Sequence, residues 1–292
     1  MSLSQLPQLL INGMLLGCIY AGFALGLSVI LGVLKVVNLA HSAVLVLATL
    51  CYWELVNALG VDPLLSIVPI VVLFYFFGLA LHRGVAQRLA REHDSTVLLA
   101  FFGIMVTIES IAVLIWTTDT RNVRLGYLGT VLRFWDLNIA LSRVAAAVLI
   151  ILVLTVIHLL LTRTLTGAAI RGLSENRDVA SMVGIGVDRL TRRVFAAGTA
   201  LAAFGGCILG LAMPFTPQGH VRWLAWAFLV VIIGGMGSVL NTLLAGLAIG
   251  LTESIVSVVL PTQYTYLILY AILAIALLVR RTGLGGVSER AV

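Results

Sequence analysis

The sequence predicts an all-α fold, a polytopic membrane helix bundle, and three observations carry that expectation. Of the 292 residues, 61% are hydrophobic and 10% are charged, against roughly 45–50% and about 25% in soluble domains. The mean hydropathy is +1.13, so there are too few polar residues to clothe a water-facing surface. The charges that do occur leave long gaps: residues 1–34, 63–82, 144–162, 194–221, 223–252 and 254–279 contain no Asp, Glu, Lys or Arg. An ordinary soluble enzyme is thereby disfavoured.

Crossing a hydrocarbon layer about 30 Å thick takes about 20 mostly apolar residues. On that measure the spans read 6–33, 36–58, 63–82, 96–116, 139–161, 194–213, 223–238, 240–260 and 263–280, about nine within a range of eight to ten. Residues 1–292 thus form a single transmembrane domain. Met1–Gln8 carries no basic residue, so the first segment is expected to stay in the membrane rather than to be cleaved.

The net charge of +6 rests on Arg, which supplies seventeen of the eighteen basic residues, in short segments between spans. That distribution reports topology and not a nucleic-acid footprint, because cytoplasmic loops retain basic residues. The strongest cluster, Arg163, Arg171, Arg177, Arg189, Arg192 and Arg193, is placed inside, with Arg83, Arg88, Arg91 and the tail residues Arg280, Arg281 and Arg290. Residues 117–137 then lie outside despite Arg121, Arg124 and Arg133. Keeping both later clusters inside requires 223–260 to split at Gly234-Gly235-Met236-Gly237-Ser238, which puts the N-terminus outside. A re-entrant loop at 223–238 would reverse the tail.

Small residues one turn apart mark close helix contacts in lipid. Gly13 and Gly17, Gly22 and Gly26, and Gly246 and Gly250 have this spacing, and Gly198, Ala202, Gly206 and Gly210 form a stripe. Cys18, Cys51 and Cys207 sit in apolar stretches without a CxxC pair and read as buried hydrophobes. No metal site, cofactor or catalytic residue is expected, since HExxH and GxSxG are absent from the sequence.

Ionisable residues at membrane depth cost several kcal/mol unless they face protein or water. Glu109 and Glu253 therefore face the bundle interior, either lining a polar translocation path or locking helices together. Ser257 falls one turn from Glu253 on the same face. His158 reads as an interfacial or helix-bonding histidine. Asn38, His41 and Ser42 are spaced i, i+3 and i+4, one polar helix face that suits either a path or contacts between helices.

Residues 162–193 are too long for a simple connection. Ser174 can cap a short helix whose stripe is Val179, Met182 and Val183 and whose stop is Gly184. Glu175 and Asp178 would oppose anionic lipid, so insertion into a groove on a protein partner fits better.

Thr166–Arg171, followed by Glu175–Ala180 and Val183–Ile185, resembles the cytoplasmic coupling loop of the branched-chain amino acid ABC transporter permeases of the LivH type. Three further blocks agree: Gly26–Val33 with Val37–His41, Leu201–Gly206, and Val230–Ser238. Ser42 departs from the pattern, which has Gly after the histidine. The resemblance implies a multi-pass permease subunit of an ATP-binding cassette importer in the bacterial inner membrane. Its implied partners are a second permease, with a sister chain favoured, two cytoplasmic ATP-binding subunits and a periplasmic solute-binding protein. It also implies that Arg171, Glu175, Asn176, Asp178, Ala180, Met182, Val183 and Gly184 couple to the ATPases. Asn38, His41, Glu109 and Glu253 are the candidates for the translocation path.

The residues support this division of labour independently. A phosphate-binding P-loop needs G-x4-G-K-[ST], and the single lysine, Lys35, follows Leu34. ATP must therefore be hydrolysed by another polypeptide. A zwitterion with an aliphatic side chain suits the sparse polar inventory, and the resemblance implies a branched-chain amino acid, a short amide or urea as the substrate. The rival reading is an ion-coupled secondary transporter of a small polar solute, using Glu109, Glu253 or the Asn38 and His41 face, with a helix broken at Gly234–Gly237.

Overall fold

The computed structural model describes residues 6–89, 92–134 and 137–261, together with 264, 267–268, 270–272 and 274–275. Ten helices and one hairpin are complete within them: α1 (Leu6–Leu34), α2 (His41–Asn57), α3 (Ile67–Leu81), α4 (Asp94–Trp116), β1 (Val131–Phe134), β2 (Leu137–Ala140), α5 (Leu141–Arg163), α6 (Leu165–Glu175), α7 (Arg177–Met182), α8 (Val187–Ala212), α9 (His220–Gly234) and α10 (Val239–Val259). Helix α3 continues as one π turn, His82–Ala86. Among the described residues, six helices are long and apolar enough to cross a membrane: α1, α3 with its π turn, α4, α5, α8 and α10. Helices α2 and α9, with 17 and 15 residues, are shorter. Most of the expected span 263–280, and with it Arg280, Arg281 and Arg290, lies outside the described residues.

Helix α1 is apolar on every side and buried almost continuously from Gly17 to Leu34, as expected for a helix enclosed by others. It packs chiefly against α10 and α8, and also against α9 and α5. Helix α8 is the second enclosed helix, buried from Val194 onward with few breaks. The small residues permit these contacts. A methyl added at Gly17 would meet the backbone of Gly246 and Leu247, and one at Gly26 would meet the Gly198 carbonyl. Along α8, Gly206 lies against the Leu45 carbonyl and Gly210 against the Tyr52 ring. Helix α10 runs antiparallel to α1: Thr242 bonds Ser28, Gly246 faces Gly17, and Ser254 donates to the Leu9 carbonyl (2.8 Å).

The division of 223–260 falls where the glycines put it. Helix α9 ends at Gly234, and Gly235 and Gly237 take φ of 86° and 82°, a left-handed region that glycine enters without steric cost. The Ser238 hydroxyl then caps α10 by accepting from the Asn241 amide.

Four sequence expectations need correction. The all-α reading misses the β1–β2 hairpin, an antiparallel pair with Val131 opposite Ala140. Its alternation is too short to register in a chain this apolar, and it is held from outside: the Gln8 side chain donates to the Asn138 carbonyl (3.0 Å) and accepts from its amide (2.8 Å). Second, α2 begins at His41 and not near 36, because Lys35 turns left-handed (φ 55°) after α1 and residues 35–38 are non-helical. Asn38 is therefore not on a helix face. Third, 174–184 is not one helix capped by Ser174. The Asn176 side chain caps α7, accepting from the Asp178 and Val179 amides (2.9 and 3.1 Å), while Ser174 closes α6 by donating to the Arg171 carbonyl. An amide oxygen on a residue already in extended backbone outcompetes a hydroxyl inside a helical turn. Fourth, α8 starts at Val187, so Arg189, Arg192 and Arg193 stand on a helix and not in a loop.

The two ends of the bundle differ in a way that matters for orientation. Arg121 pairs with Phe215 backbone to backbone and lies over Trp53 (4.3 Å), and the Asn122 carbonyl accepts from Trp53 and Asn57. Residues 117–140 thus sit at the end where α1 starts and α2 and α8 finish. Helices α6 and α7 follow the far end of α5, at the opposite end.

Candidate functional site

The groups singled out by sequence fall into an interior set around α1 and an exposed set on α7. In the interior, Asn38, His41 and Ser42 come together at the start of α2 and are 2%, 1% and 1% exposed. The His41 Nε2 lies 3.0 Å from the Phe23 carbonyl, and the His41 amide donates to the Asn38 carbonyl (3.2 Å). Beyond these bonds, Asn38 Oδ1, His41 Nδ1 and Ser42 Oγ have no partner, and the first turn of α2 receives no side-chain cap. Each unsatisfied buried group costs about 1–3 kcal/mol, so this corner is polar, enclosed and unfulfilled within the chain. The α2 N-terminus adds partial positive charge from its free amides.

Glu253 and Glu109 are not brought together; each finds its own partner, and neither partner is evident from the sequence. Glu253 on α10 accepts from the Tyr20 hydroxyl on α1 (2.6 Å), and Ser257 bonds the Ser254 carbonyl (2.9 Å). Glu109 on α4 lies 3.8 Å from His220 Nε2 at the start of α9, with the histidine 1% and the glutamate 29% exposed. Tyr20 stacks on Trp226 (5.0 Å), and Phe23 meets Trp223 edge-on (5.4 Å). An aromatic seam between α1 and α9 therefore runs between the polar groups. His158 lies on an exposed face of α5. Tyr20 and His220 are separated from their carboxylates by more than a hundred residues of chain, and no spacing rule links such pairs.

Replacing Tyr20 by Phe leaves the Glu253 carboxyl without its short bond, and the detergent-solubilised protein should lose about 1–3 kcal/mol. The double change Tyr20→Phe with Glu253→Leu removes both partners and should recover most of that loss. Thermal unfolding of the three proteins measures this; an equal loss in single and double variants would show that the bond contributes nothing.

At the other end, α7 presents Val179, Met182 and Val183 at 54%, 82% and 71% exposure, with Ala180 turned inward at 3%. The Val183 amide still reaches the Val179 carbonyl, and Gly184 ends the turn at φ 85°. Glu175 closes α6, Arg171 lies in its middle, and Asp178 occupies the first turn of α7, where an acid complements the helix dipole. The expected stripe and stop are thus in place, with Asn176 as the cap. Among the described residues no group of three or more His, Cys, Asp or Glu could hold a metal ion.

Six bilayer-length apolar helices packed through glycines around enclosed centres define a multi-pass membrane protein. The profile of the family described as "Branched-chain amino acid transport system / permease component" matches residues 9–277, and the chain belongs to that family. It is 27% identical over 299 residues to the "High-affinity branched-chain amino acid transport system permease protein LivH" of Escherichia coli (strain K12), covering 97% of this chain and 96% of that protein. The corresponding permease protein BraD of Pseudomonas aeruginosa is 26% identical over 297 residues, with the same coverage. A "probable branched-chain amino acid transport permease protein LivH" of Methanocaldococcus jannaschii is 23% identical over 246 residues, 82% of this chain and 78% of that protein. No solved structure matches the chain. The family is a transport permease and not an enzyme class.

Proposed function

We propose that the chain is a permease subunit of an ATP-binding cassette importer that carries branched-chain amino acids from a periplasmic binding protein into the cytoplasm. The observation that carries this reading is α7: a capped helix with three exposed apolar side chains at the end opposite residues 117–140. Cytoplasmic ATP-binding subunits dock there, in contact with Met182, Val183 and the Arg171–Gly184 segment, and their closure moves the helices behind it. A sister permease completes the assembly in the inner membrane.

The path runs along α1. Asn38 and His41 supply its polar corner, and Glu109, close to His220 of α9, and Glu253, bonded to Tyr20 of α1, border it. We count nine spans, with α2 and α9 as short members that start within the bundle and the segment after Pro261 as the ninth. This count puts the N-terminus outside and the coupling segment inside, in agreement with the Arg clusters. We also read the chain as one transmembrane domain, which the buried core shared by α1, α2, α8 and α9 supports.

Reconstitution tests the proposal. Vesicles holding this chain, its sister permease and the ATPases should accumulate leucine only with ATP inside and the binding protein outside. Accumulation by this chain alone under a pH or voltage difference would overturn the reading in favour of an ion-coupled transporter.

A further inference from the structure

The end of α1, the π turn after α3, the start of α4, α7 and α8 enclose a cavity of about 400 Å³, within the size range of small-molecule sites, about 300–1,000 Å³. Its wall holds two cations, Lys35 and Arg177, and two anions, Glu92 and Asp94, beside apolar surface from Val37 and Leu98. His82 also lines it; this residue is 4% exposed, and its Nδ1 has no partner. A buried imidazole nitrogen without a partner at the wall of a cavity is a place where a polar ligand atom would be satisfied.

Two features mark the wall as more than a solvated crevice. Lys35, the one lysine in the chain, holds a left-handed backbone conformation at the end of α1, where glycine is the ordinary residue. Such strain is retained where something else requires the side chain. Arg177 opens α7, yet its Nη2 donates to Thr191 on α8 (3.2 Å), so it turns back into the bundle while Val179 and Met182 point away.

We propose that this cavity binds a free aliphatic amino acid as its zwitterion, at the cytoplasmic exit of the path. Lys35 and Arg177 meet the carboxylate, Glu92 and Asp94 meet the ammonium, and Val37 and Leu98 receive the side chain. His82 Nδ1 adds one hydrogen bond to the ligand. Because Arg177 also begins α7, a displacement of α7 by the ATPases withdraws a partner of the carboxylate and lowers affinity at the moment of release. The inference rests on the transport reading and names the site from which its substrate leaves.

The test uses the complete transporter in nanodiscs without the solute-binding protein. Equilibrium binding of radiolabelled leucine should saturate, and Arg177→Gln and Asp94→Asn should each weaken it at least fivefold. In a Leu98→Cys variant, leucine should slow maleimide labelling at least threefold. At equal concentration, 4-methylpentanoate, which lacks the amine, and 3-methylbutylamine, which lacks the carboxylate, should leave labelling unchanged. Failure of leucine to bind, binding unaffected by both substitutions, or equal protection by all three compounds would overturn the site. If the same complex, moved into sealed vesicles with ATP inside and binding protein outside, still takes up leucine, only this inference falls; if uptake is absent as well, the transport reading falls with it.

Discussion

Replacing Met182 and Val183 together by aspartate lowers ATP-driven uptake at least tenfold and leaves the chain folded in the membrane. Both side chains are largely exposed, at 82% and 71%, so the fold loses little when they change. A docked ATPase loses two apolar anchors and must accommodate two carboxylates in their place. Interface anchors are typically about 2 kcal/mol each, which for two sites exceeds a hundredfold in affinity, so tenfold is a lower bound. The measurement pairs uptake with co-purification of the ATPase subunits on the tagged permease, and both should fall. Charge reversal at Asp178 acts on the same segment more weakly, since the dipole contact it loses is about 0.3–1 kcal/mol. Gly184→Pro acts through the backbone, because proline cannot take φ 85°. Uptake at the parental level in the double aspartate variant would show that α7 is not where the ATPase pushes.

Most of what depends on local sequence is legible. Long apolar runs, two of them with an acid inside (Glu54 and Glu109), located eight helices to within a few residues at most ends, and the glycines at 234–237 located the turn between α9 and α10. The exposed stripe of α7 followed from three positions one turn apart. The rest depended on contacts between distant segments or on backbone conformation at single residues. The hairpin at 131–140 owes its place to Gln8, and the end of α1 at Leu34 leaves Asn38 in non-helical chain that apolar periodicity cannot distinguish from helix. Ser174 and Asn176 are both good caps in isolation, and only the backbone conformation of each decides between them. The carboxylates were identifiable because charge is rare here, whereas Tyr20 and His220 were not, since aromatic residues in apolar runs are ordinary. The exit cavity was invisible because Lys35, His82, Asp94 and Arg177 come from four separate segments.

The interior polar corner and the α7 surface also differ in kind. Around α2, burial is nearly complete and the unsatisfied atoms belong to this chain alone. On α7 the exposed surface is apolar and outward, which suits the protein partner proposed for it. A gate needs both: an interior whose polar groups are stabilised only when a polar solute or water reaches them, and a handle that another machine can hold. Helices α1 and α8 link the two, since both, running in opposite directions, span from the end carrying Arg121 and Asn122 to the end carrying α7.

Gly32→Ala should destabilise the bundle by about 3–5 kcal/mol, whereas Gly103→Ala on α4 should be tolerated. A β-carbon at Gly32 would fall on the Gly237 Cα and amide nitrogen, which are backbone atoms with no rotamer to yield. Gly237 is itself fixed at φ 82° and donates through its amide to Ser28 Oγ (3.3 Å), the same oxygen that accepts from the Thr242 hydroxyl (3.2 Å). Relief of the clash therefore means moving the α9–α10 turn away from α1 and breaking both bonds. Overpacking alone costs about 1–3 kcal/mol, and two lost bonds at about 1 kcal/mol each bring the total near half of a typical stability. At Gly103 nothing lies within 4 Å of the added carbon. Size-exclusion profiles and thermal unfolding in detergent, followed by uptake in reconstituted vesicles, separate the two substitutions. Equal stability of the two variants would mean that α1 and the α9–α10 turn are not in contact at this point. Both glycines lie in apolar helices of similar composition, so the difference in outcome is set entirely by what stands across the interface.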